Sequence, residues 1–179
     1  MNVARSIDEL WNKEILKNIF PGKWREKFME SFFPDEKEKL LKLVEEKNIK
    51  LRAIEPSDAD LIYKWENDST IWYAGNTIEP FSKHIIDQYV KSAHLDLFQA
   101  NQLRLMIDKK AVDVSEKQTI GSIDLFDIDN LHQRAGVGIL IAEKKEREQG
   151  YANQALKALI RYSSEVLLLH QLYCNIDEN

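Results

Sequence analysis

The order of segments at residues 136–176 constrains the fold of this chain more than any other feature of its sequence. An apolar segment at 136–142 precedes a loop that contains Gly150, and an amphipathic segment and a last apolar segment at 171–176 follow. The two apolar segments are typical of strands, whereas the segment between them has the hydrophobic period of a helix. A strand, a helix and a second strand in this order form a crossover within one sheet. This order therefore predicts a mixed α/β domain.

The rest of this domain is predicted from hydrophobic period and from residues that favour turns. Strands are expected at 49–54, 103–107 and 119–128, and helices from Ser57 to Trp65 and at 82–97. A short connection at 129–134 joins the strand at 119–128 to the strand at 136–142, which favours an antiparallel pair. The predicted order is thus strand, two helices, three strands, helix and strand.

Residues 1–48 are predicted to be a helical extension that precedes the domain at 49–179. Pro21 and Pro34 divide the amphipathic sequence of the extension into three short segments of helical period. Three short helices bury too little apolar surface to be stable alone. We therefore expect the extension to pack on the domain or on a partner.

The charge and composition of the chain exclude several classes of function. The net charge is −5 and no long block of Lys and Arg is present, so we expect no binding to nucleic acid. No apolar run approaches the roughly 18 residues that cross a bilayer, and the first residues carry no signal-peptide core. We therefore expect no membrane contact and a cytoplasmic location. Cys174 is the only cysteine, which excludes a cysteine-based zinc site, and no metal is expected.

The loop at residues 147–152 has the properties of an anion-binding site. Backbone amides in the first turn of a helix lack intrahelical partners, and the helix dipole adds positive charge there. Gly150 allows a close approach of the backbone to a diphosphate, and Arg147 adds a cation. The spacing matches neither a P-loop nor a Rossmann fingerprint. A purely structural helix start has the same spacing, so spacing alone leaves both interpretations open.

Five segments in chain order resemble the GNAT family of acetyltransferases. Leu51 to Asp58 is similar to the first strand and the entry to the first helix, and Gly121 to Leu125 is similar to the third strand. Gly138 to Ile141 resembles the fourth strand, Arg147 to Ala152 the pyrophosphate loop (Arg/Gln-x-x-Gly-x-Gly/Ala), and Leu172 to Ile176 the fifth strand. The resemblance covers residues 49–179 and implies a GNAT-like sheet with flanking helices.

The sequence departs from the family pattern at two places. Glu148 stands where the loop commonly has its first glycine, which brings a negative charge near the expected diphosphate. The resemblance also implies a further helix with a Tyr and a Gly-Phe pair and a terminal hairpin, whereas the sequence ends at Asn179. We therefore expect a C-terminally incomplete domain that lacks the tyrosine thought to protonate the CoA thiolate. Its exposed fifth strand would be open to pairing, in a homo-oligomer or with another partner.

The resemblance implies direct transfer of an acetyl group from acetyl-CoA to an amine, which must first lose a proton. Amides near Leu140 and Ile141 are expected to polarise the thioester carbonyl as the oxyanion forms. Arg147 and the amides from Gln149 to Ala152 would hold the diphosphate. The candidate cofactor-binding residues are thus Leu140, Ile141, Arg147, Gln149, Gly150, Tyr151, Ala152 and Asn153.

Asp124 and Asp127 are the candidate catalytic residues on the strand predicted at 119–128. They lie three positions apart, so a regular strand directs them to opposite faces and at most one faces the acceptor. That carboxylate would bind a cationic amine or relay its proton. Either residue is equally compatible with a strand position that faces solvent.

The candidate substrate-binding residues are Trp65, Asn67, Asp68 and Asp124. Aromatic side chains beside acids suit an ammonium ligand, although Trp65 also fits the core face of its helix. The segment from His132 to Ala135 resembles a turn of spermidine/diamine N-acetyltransferases, which favours a polyamine or another small primary amine. Acetylation of a protein N-terminus, as in ribosomal-protein acetyltransferases, is one alternative. A non-catalytic or incomplete CoA-binding chain is another.

Overall fold

The structure is a computed structural model that describes residues 42–72, 79–92, 100–110 and 118–176. Residues 1–41 of the predicted helical extension lie outside these ranges. Leu43–Asn179 forms one compact unit, and the boundary predicted at residue 49 stays a prediction. Among the helices within these ranges, none is both long enough and apolar enough to cross a bilayer.

The described part of the compact unit contains one sheet and three α-helices. The strands are β1 (Ile49–Ala53), β2 (Gln102–Lys109), β3 (Gln118–Asp129), β4 (Arg134–Ile141) and β5 (Gln171–Tyr173). The helices are α1 (Ala59–Glu66), α2 (Lys83–Ser92) and α3 (Tyr151–Glu165), with short 3-10 helices at Pro56–Asp58 and Lys144–Glu146. The helix predicted at 82–97 is thus present as α2, and residues beyond position 92 of that prediction lie outside the described ranges.

The strands lie side by side in the order β1-β2-β3-β4-β5. The pairs β1–β2, β2–β3 and β3–β4 are antiparallel, and β4 and β5 are parallel because α3 carries the chain back between them. The mixed α/β fold is confirmed, as are the antiparallel pair of β3 and β4 and the crossover. The last strand is shorter than predicted, because β5 ends at Tyr173.

Helices cover both faces of the sheet. On one face α3 packs against the strands, and this core contains Ile49, Leu51, Ile107, Ile123, Leu125, Ala155, Ala158 and Leu159. On the other face α1 and α2 pack over Met106, and this core contains Ile62, Trp65, Ile86, Val90 and Ala142. Met106 and Ile107 belong to different cores because successive side chains of a strand point to opposite faces.

The pairing of β4 with β5 is confined to one end of β4. Arg134, Ala135 and Gly136 pair with the three residues of β5, and the pairing ends there. The rest of β4, up to Ile141, therefore has no β5 neighbour on that edge. Backbone groups on this edge are consequently left for contacts other than the sheet.

A buried ion cluster joins the start of the sheet to the start of α1. The guanidinium of Arg52 donates to both oxygens of Asp58 at 2.7 and 2.8 Å and to Asp108 at 2.8 Å. The amide of Glu55 also donates to Asp58, which closes the turn before the helix. Asp58 therefore fixes the entry to α1, whereas Ser57, where the helix was predicted to begin, is exposed. The hydrogen bond from Arg52 to Asp58 is the largest cause that raises the pKa of Arg52 above its ordinary value.

Candidate functional site

The helix α3 begins directly after the glycine that the loop pattern singled out. Gly150 has φ 76° and ψ 9°, a left-handed conformation that glycine adopts without a steric cost. Gly150 has no side chain that could cap the helix, so no capping side chain accepts a hydrogen bond from the amides of the first turn. A Cβ atom placed on Gly150 would meet nothing within 4 Å, so the space above the loop is open. These features fit an anion such as the diphosphate of CoA.

A cavity of about 470 Å³ lies at this loop. It is lined by Ile141, Glu146, Arg147, Glu148, Gly150, Tyr151, Ala152 and Asn153. Six of the eight residues predicted to bind the cofactor are therefore brought together here. Gln149 is exposed in the same loop but is not part of this lining, and Leu140 lines a second cavity.

Arg147 is bonded to the end of β4. Its Nε donates to the carbonyl of Ile141 at 2.9 Å, and its Nη2 donates to the carbonyl of Ala142 at 3.3 Å. These carbonyls lie at and just beyond the end of β4, where β5 is not a neighbour. The guanidinium thus ties the strand end to the loop.

A second charged side chain supports the loop from β2. Lys109 donates to the buried carboxylate of Glu146 at 2.9 Å, and its ammonium lies 5.5 Å from the ring centroid of Tyr151. The hydrogen bond to Glu146 is the largest cause that raises the pKa of Lys109. Lys109 therefore balances a carboxylate beneath the loop and connects β2 to the first residue of α3.

Glu148, at the loop position where the family commonly has a glycine, has a backbone conformation that favours glycine. Its φ is 62°, in the left-handed region. This conformation costs a residue with a Cβ on the order of 1–2 kcal/mol. The side chain is exposed and lines the loop cavity, so the negative charge lies next to the space where the diphosphate is predicted to bind.

A second cavity of about 330 Å³ lies on the α1 side of the sheet. It is lined by the charged or hydroxyl-bearing side chains of Glu66, Arg104, Ser122 and Asp124. Two tryptophans, Trp65 and Trp72, and the β4 residues from Val137 to Leu140 also line it. Leu140 faces this cavity, and its neighbour Ile141 faces the loop cavity. The end of β4 therefore borders both cavities.

The second cavity contains an arginine bound to two carboxylates, which we call the Arg104 cluster (Glu66, Arg104 and Asp124). Arg104 donates to Asp124 from Nε at 2.7 Å and from Nη2 at 3.1 Å, and to Glu66 Oε1 from Nη1 at 2.7 Å. Its guanidinium also lies 5.3 Å from the ring centroid of Tyr89. Burial is the largest single effect and lowers the pKa of Arg104, but the charge and hydrogen bonds of Asp124 and the charges of Tyr89 and Glu66 together raise this pKa above its ordinary value.

Of the two candidate catalytic aspartates, Asp124 lines the cavity and Asp127 does not. Both carboxylate oxygens of Asp124 accept hydrogen bonds from Arg104. Burial raises the pKa of Asp124, and the charge and hydrogen bonds of Arg104 act in the opposite direction. Asp127 is exposed with φ 49°, next to a register shift in β3, so the alternation assumed for a regular strand does not extend to it.

The three candidate substrate-binding residues at the end of α1 have different surroundings. Trp65 is buried between α1, α2 and the sheet and also lines the second cavity. The side chain of Asn67 bonds to the backbone of Tyr63 and Phe81, and Asp68 accepts two hydrogen bonds from Thr70. Asn67 and Asp68 therefore stabilise the connection after α1, and neither belongs to the cavity lining.

The turn that resembles polyamine acetyltransferases has local bonds. The amide and ring Nδ1 of His132 bond to Asp129 at 3.0 and 2.7 Å. The backbone hydrogen bond from His132 is the largest cause that lowers the pKa of Asp129 to about 2. His132 is exposed and does not line the second cavity, so these bonds shape the turn between β3 and β4.

Sequence reasoning missed Glu66, Arg104 and Lys109. Glu66 and Arg104 are far apart in sequence, and their contact depends on how α1 lies over β2. Arg104 and Asp124 are directly opposite in the register of β2 and β3, which no local pattern reports. A register assigned correctly from the two strands would have placed this cross-strand pair on one face.

No metal site is evident in the parts of the chain that the structure describes. Within these ranges, no group of three or more His, Cys, Asp or Glu side chains is arranged to hold a metal ion. The charged side chains of the second cavity bind one another through Arg104.

Known proteins resemble this chain across the region that contains both cavities. The model of the family described as "Acetyltransferase (GNAT) domain" matches residues 48–179. Spermidine N(1)-acetyltransferase of Vibrio cholerae serotype O1 is 27% identical over 131 residues, which cover 70% of this chain and 68% of the relative.

Solved structures resemble the fold. A crystal structure of spermidine N-acetyltransferase from Vibrio cholerae, in complex with CoA and spermine, has a TM-score of 0.60 and 23% identity, covering 71% of this chain and 70% of that one. A Vibrio cholerae protein assigned as a ribosomal-protein-serine acetyltransferase has a TM-score of 0.58 and 20% identity, covering 76% and 74%. Because the family model spans most of the sequence, this chain belongs to the GNAT acetyltransferase family, and the prediction of an acetyl-CoA-dependent N-acetyltransferase is confirmed.

Proposed function

We propose that this chain transfers the acetyl group of acetyl-CoA to a primary amine, with a polyamine or another small amine as the favoured acceptor. One observation carries the choice of acceptor: the cavity beside β4 combines two carboxylates with two tryptophans. Carboxylates and aromatic faces both attract ammonium groups. The spermidine N-acetyltransferase that this chain resembles supports the same class of acceptor.

The loop cavity would hold the cofactor. In this proposal the amides from Gln149 to Ala152 bind the diphosphate at the start of α3, and Asn153 adds a side-chain donor. Arg147 keeps the end of β4 next to this loop through the carbonyls of Ile141 and Ala142. The thioester then lies along the edge of β4 that β5 does not cover.

The acceptor would approach from the second cavity. The ammonium group gives up a proton to water, and the neutral nitrogen attacks the thioester carbonyl to form a C–N bond. Amides near Leu140 and Ile141 stabilise the oxyanion of the tetrahedral intermediate. The intermediate collapses as the C–S bond breaks, and the second proton that the nitrogen loses passes through water to the CoA thiolate. The end of β4 borders both cavities, which supports a role for these amides where the two reactants would meet.

Two measurements on the full chain test this function. Isothermal titration with acetyl-CoA measures cofactor binding, and a thiol-release assay over a panel of monoamines, polyamines and peptides with free N-termini measures transfer. We expect thiol release with small amines. Release with peptides alone would replace the amine proposal with protein N-terminal acetylation. Binding without release would leave a CoA-binding chain that is not an enzyme.

A variant of the loop tests the cofactor site. Gly150→Val should weaken acetyl-CoA binding about tenfold or more, because a branched side chain opposes the left-handed backbone and blocks the diphosphate. Leu168→Val is the matched control, since Leu168 is exposed and also left-handed, with φ 56°, at the far end of α3. An unchanged acetyl-CoA affinity for Gly150→Val would refute this site.

A further inference from the structure

We propose that Glu66 binds the ammonium group of the acceptor and that Arg104 restricts the cavity to one cationic group at a time. The proposal deepens the amine acetylation proposed above and rests on it. Glu66 would be a substrate-binding residue, and Arg104 would be a positioning residue that acts through the two carboxylates.

The two carboxylates of the Arg104 cluster are bound differently. Asp124 uses both oxygens for Arg104, whereas Glu66 is bonded through Oε1. Among the described residues, no hydrogen bond involves Glu66 Oε2. The side chain of Glu66 is 27% exposed and that of Asp124 is 16% exposed. Glu66 therefore has both an available oxygen and better access to a ligand in the cavity.

The position of Glu66 is fixed from the backbone side. Glu66 is the last residue of α1, and its carbonyl accepts a hydrogen bond from the indole of Trp72 at 2.8 Å. Trp72 and Glu66 line the same cavity. The carboxylate and an aromatic side chain are thus held together, an arrangement that suits one ammonium group.

The charge of the Arg104 cluster limits the number of cations. Two carboxylates and one guanidinium carry a net charge of about −1 in their ordinary ionised forms. One ammonium group brings the cluster to neutrality, which is the favourable state for partly buried charges. A second ammonium group in the cavity would leave an unbalanced positive charge. The remaining amines of a polyamine would therefore stay outside.

Amine binding to the CoA-bound full chain tests this proposal, with butylamine, 1,4-diaminobutane and spermidine as probes. Glu66→Gln should weaken binding of all three amines about tenfold or more, because it removes a charge-assisted hydrogen bond. Binding of CoA itself should not change. Unchanged amine affinity in Glu66→Gln would overturn the role of Glu66.

The role of Arg104 is tested by the ratio of the affinities for spermidine and butylamine, because the loss of a purely structural residue would not change this ratio. Arg104→Gln leaves a net charge of about −2, so the affinity for spermidine relative to butylamine should rise about threefold or more. Arg104→Lys keeps the positive charge and should restore the wild-type ratio. An unchanged ratio in Arg104→Gln, or an equal rise in Arg104→Lys, would overturn this role.

A double variant covers a failure of Arg104→Gln to fold. Arg104→Gln with Asp124→Asn has the wild-type net charge and no unpaired aspartate, so it should keep the wild-type ratio. A raised ratio in the double variant would contradict the dependence on charge. Thiol release by the wild-type chain separates the two proposals. If the affinities for the amines change as expected but no thiol is released, the proposed function is refuted and the present inference is not. If thiol is released but none of the variants changes the affinity ratio, the present inference is refuted and the proposed function is not.

Discussion

Arg52 and Arg104 lie on neighbouring antiparallel strands, and each binds two carboxylates, but of the two arginines only Arg104 lines one of the two cavities described above. The side chains of Asp58 and Asp108 are 7% and 3% exposed, and Asp108 also accepts a hydrogen bond from Thr119. The carboxylates around Arg104 are more exposed, and one of them has an oxygen without a bond in the described structure. The same side-chain chemistry therefore holds the fold together in one place and can receive a ligand in the other.

The difference comes from what each arginine connects. Arg52 joins β1 to the turn before α1 and to the end of β2, where both of its carboxylate partners are buried. Arg104 joins β2 to β3 and to the last residue of α1, where the connection leaves the helix. A cluster at such an open edge keeps access to solvent and to small molecules.

The largest expected effect on stability is that of Arg52→Met. It leaves two buried carboxylates without their shared cation, so the free energy of unfolding should fall by about 3 kcal/mol. Urea unfolding measures this change. Lys50→Met on the same strand removes an exposed ion pair with Glu45 and should cost less than about 1 kcal/mol. Equal losses of unfolding free energy in the two variants would mean that Arg52 stabilises the fold no more than an exposed ion pair does.

Arg104→Gln should destabilise the protein less, by about 1–2 kcal/mol at neutral pH, because the cavity gives the ionised Asp124 access to water. Burial already raises the pKa of Asp124 above its ordinary 3.8, and the variant loses the opposing effect of Arg104. A raised folded-state pKa stabilises the protonated form, so this contribution is present at low pH and is lost as pH rises.

The free energy of unfolding that Arg104→Gln loses relative to wild type should therefore be smallest at about pH 4 and should grow toward neutral pH. Denaturant unfolding of both proteins at several pH values measures the trend. Adding Asp124→Asn should flatten it. A deficit that shrinks as pH rises would show that Asp124 is not the titrating group.

The smallest expected effects concern Glu148, a carboxylate next to a predicted anion site rather than beside an arginine. Glu148→Gly relieves the left-handed backbone and should raise the free energy of unfolding by up to about 1 kcal/mol. Glu148→Gln keeps the backbone and removes only the charge. Both variants should bind acetyl-CoA about threefold more tightly. Calorimetry that finds no change for Glu148→Gln would mean that the charge does not reach the diphosphate.

Local patterns were sufficient for the features that depend on neighbouring residues. The alternation in β1, the short connection between β3 and β4 and the helical period of α3 predicted these elements close to their observed bounds. Gly150 was found because a glycine at the start of a helix lets the backbone approach a diphosphate closely. The predicted helix began at Ser57, whereas α1 begins at Ala59, after the turn that Asp58 closes.

The candidate acceptor residues were harder to predict because their roles depend on distant partners. Asn67 and Asp68 were proposed to contact substrate, and the structure places their side chains in bonds within the connection after α1. Asp127 was treated as part of a regular strand, and a register shift changes its direction. Each of these outcomes depends on backbone geometry that composition and spacing do not encode.

The order of apolar segments was enough to predict the sheet and the crossover, and the resemblance of five segments, which include the glycine loop, was enough to predict the acetyltransferase family. Each of these features depends on consecutive residues. The membership of the Arg104 cluster required the folded chain. Arg104 meets Asp124 through the register of two strands, and it meets Glu66 only because α1 ends above that pair. Contacts of this kind bring a cation and two anions into one cavity, and their physical basis is the packing of distant segments rather than the sequence around any one of them.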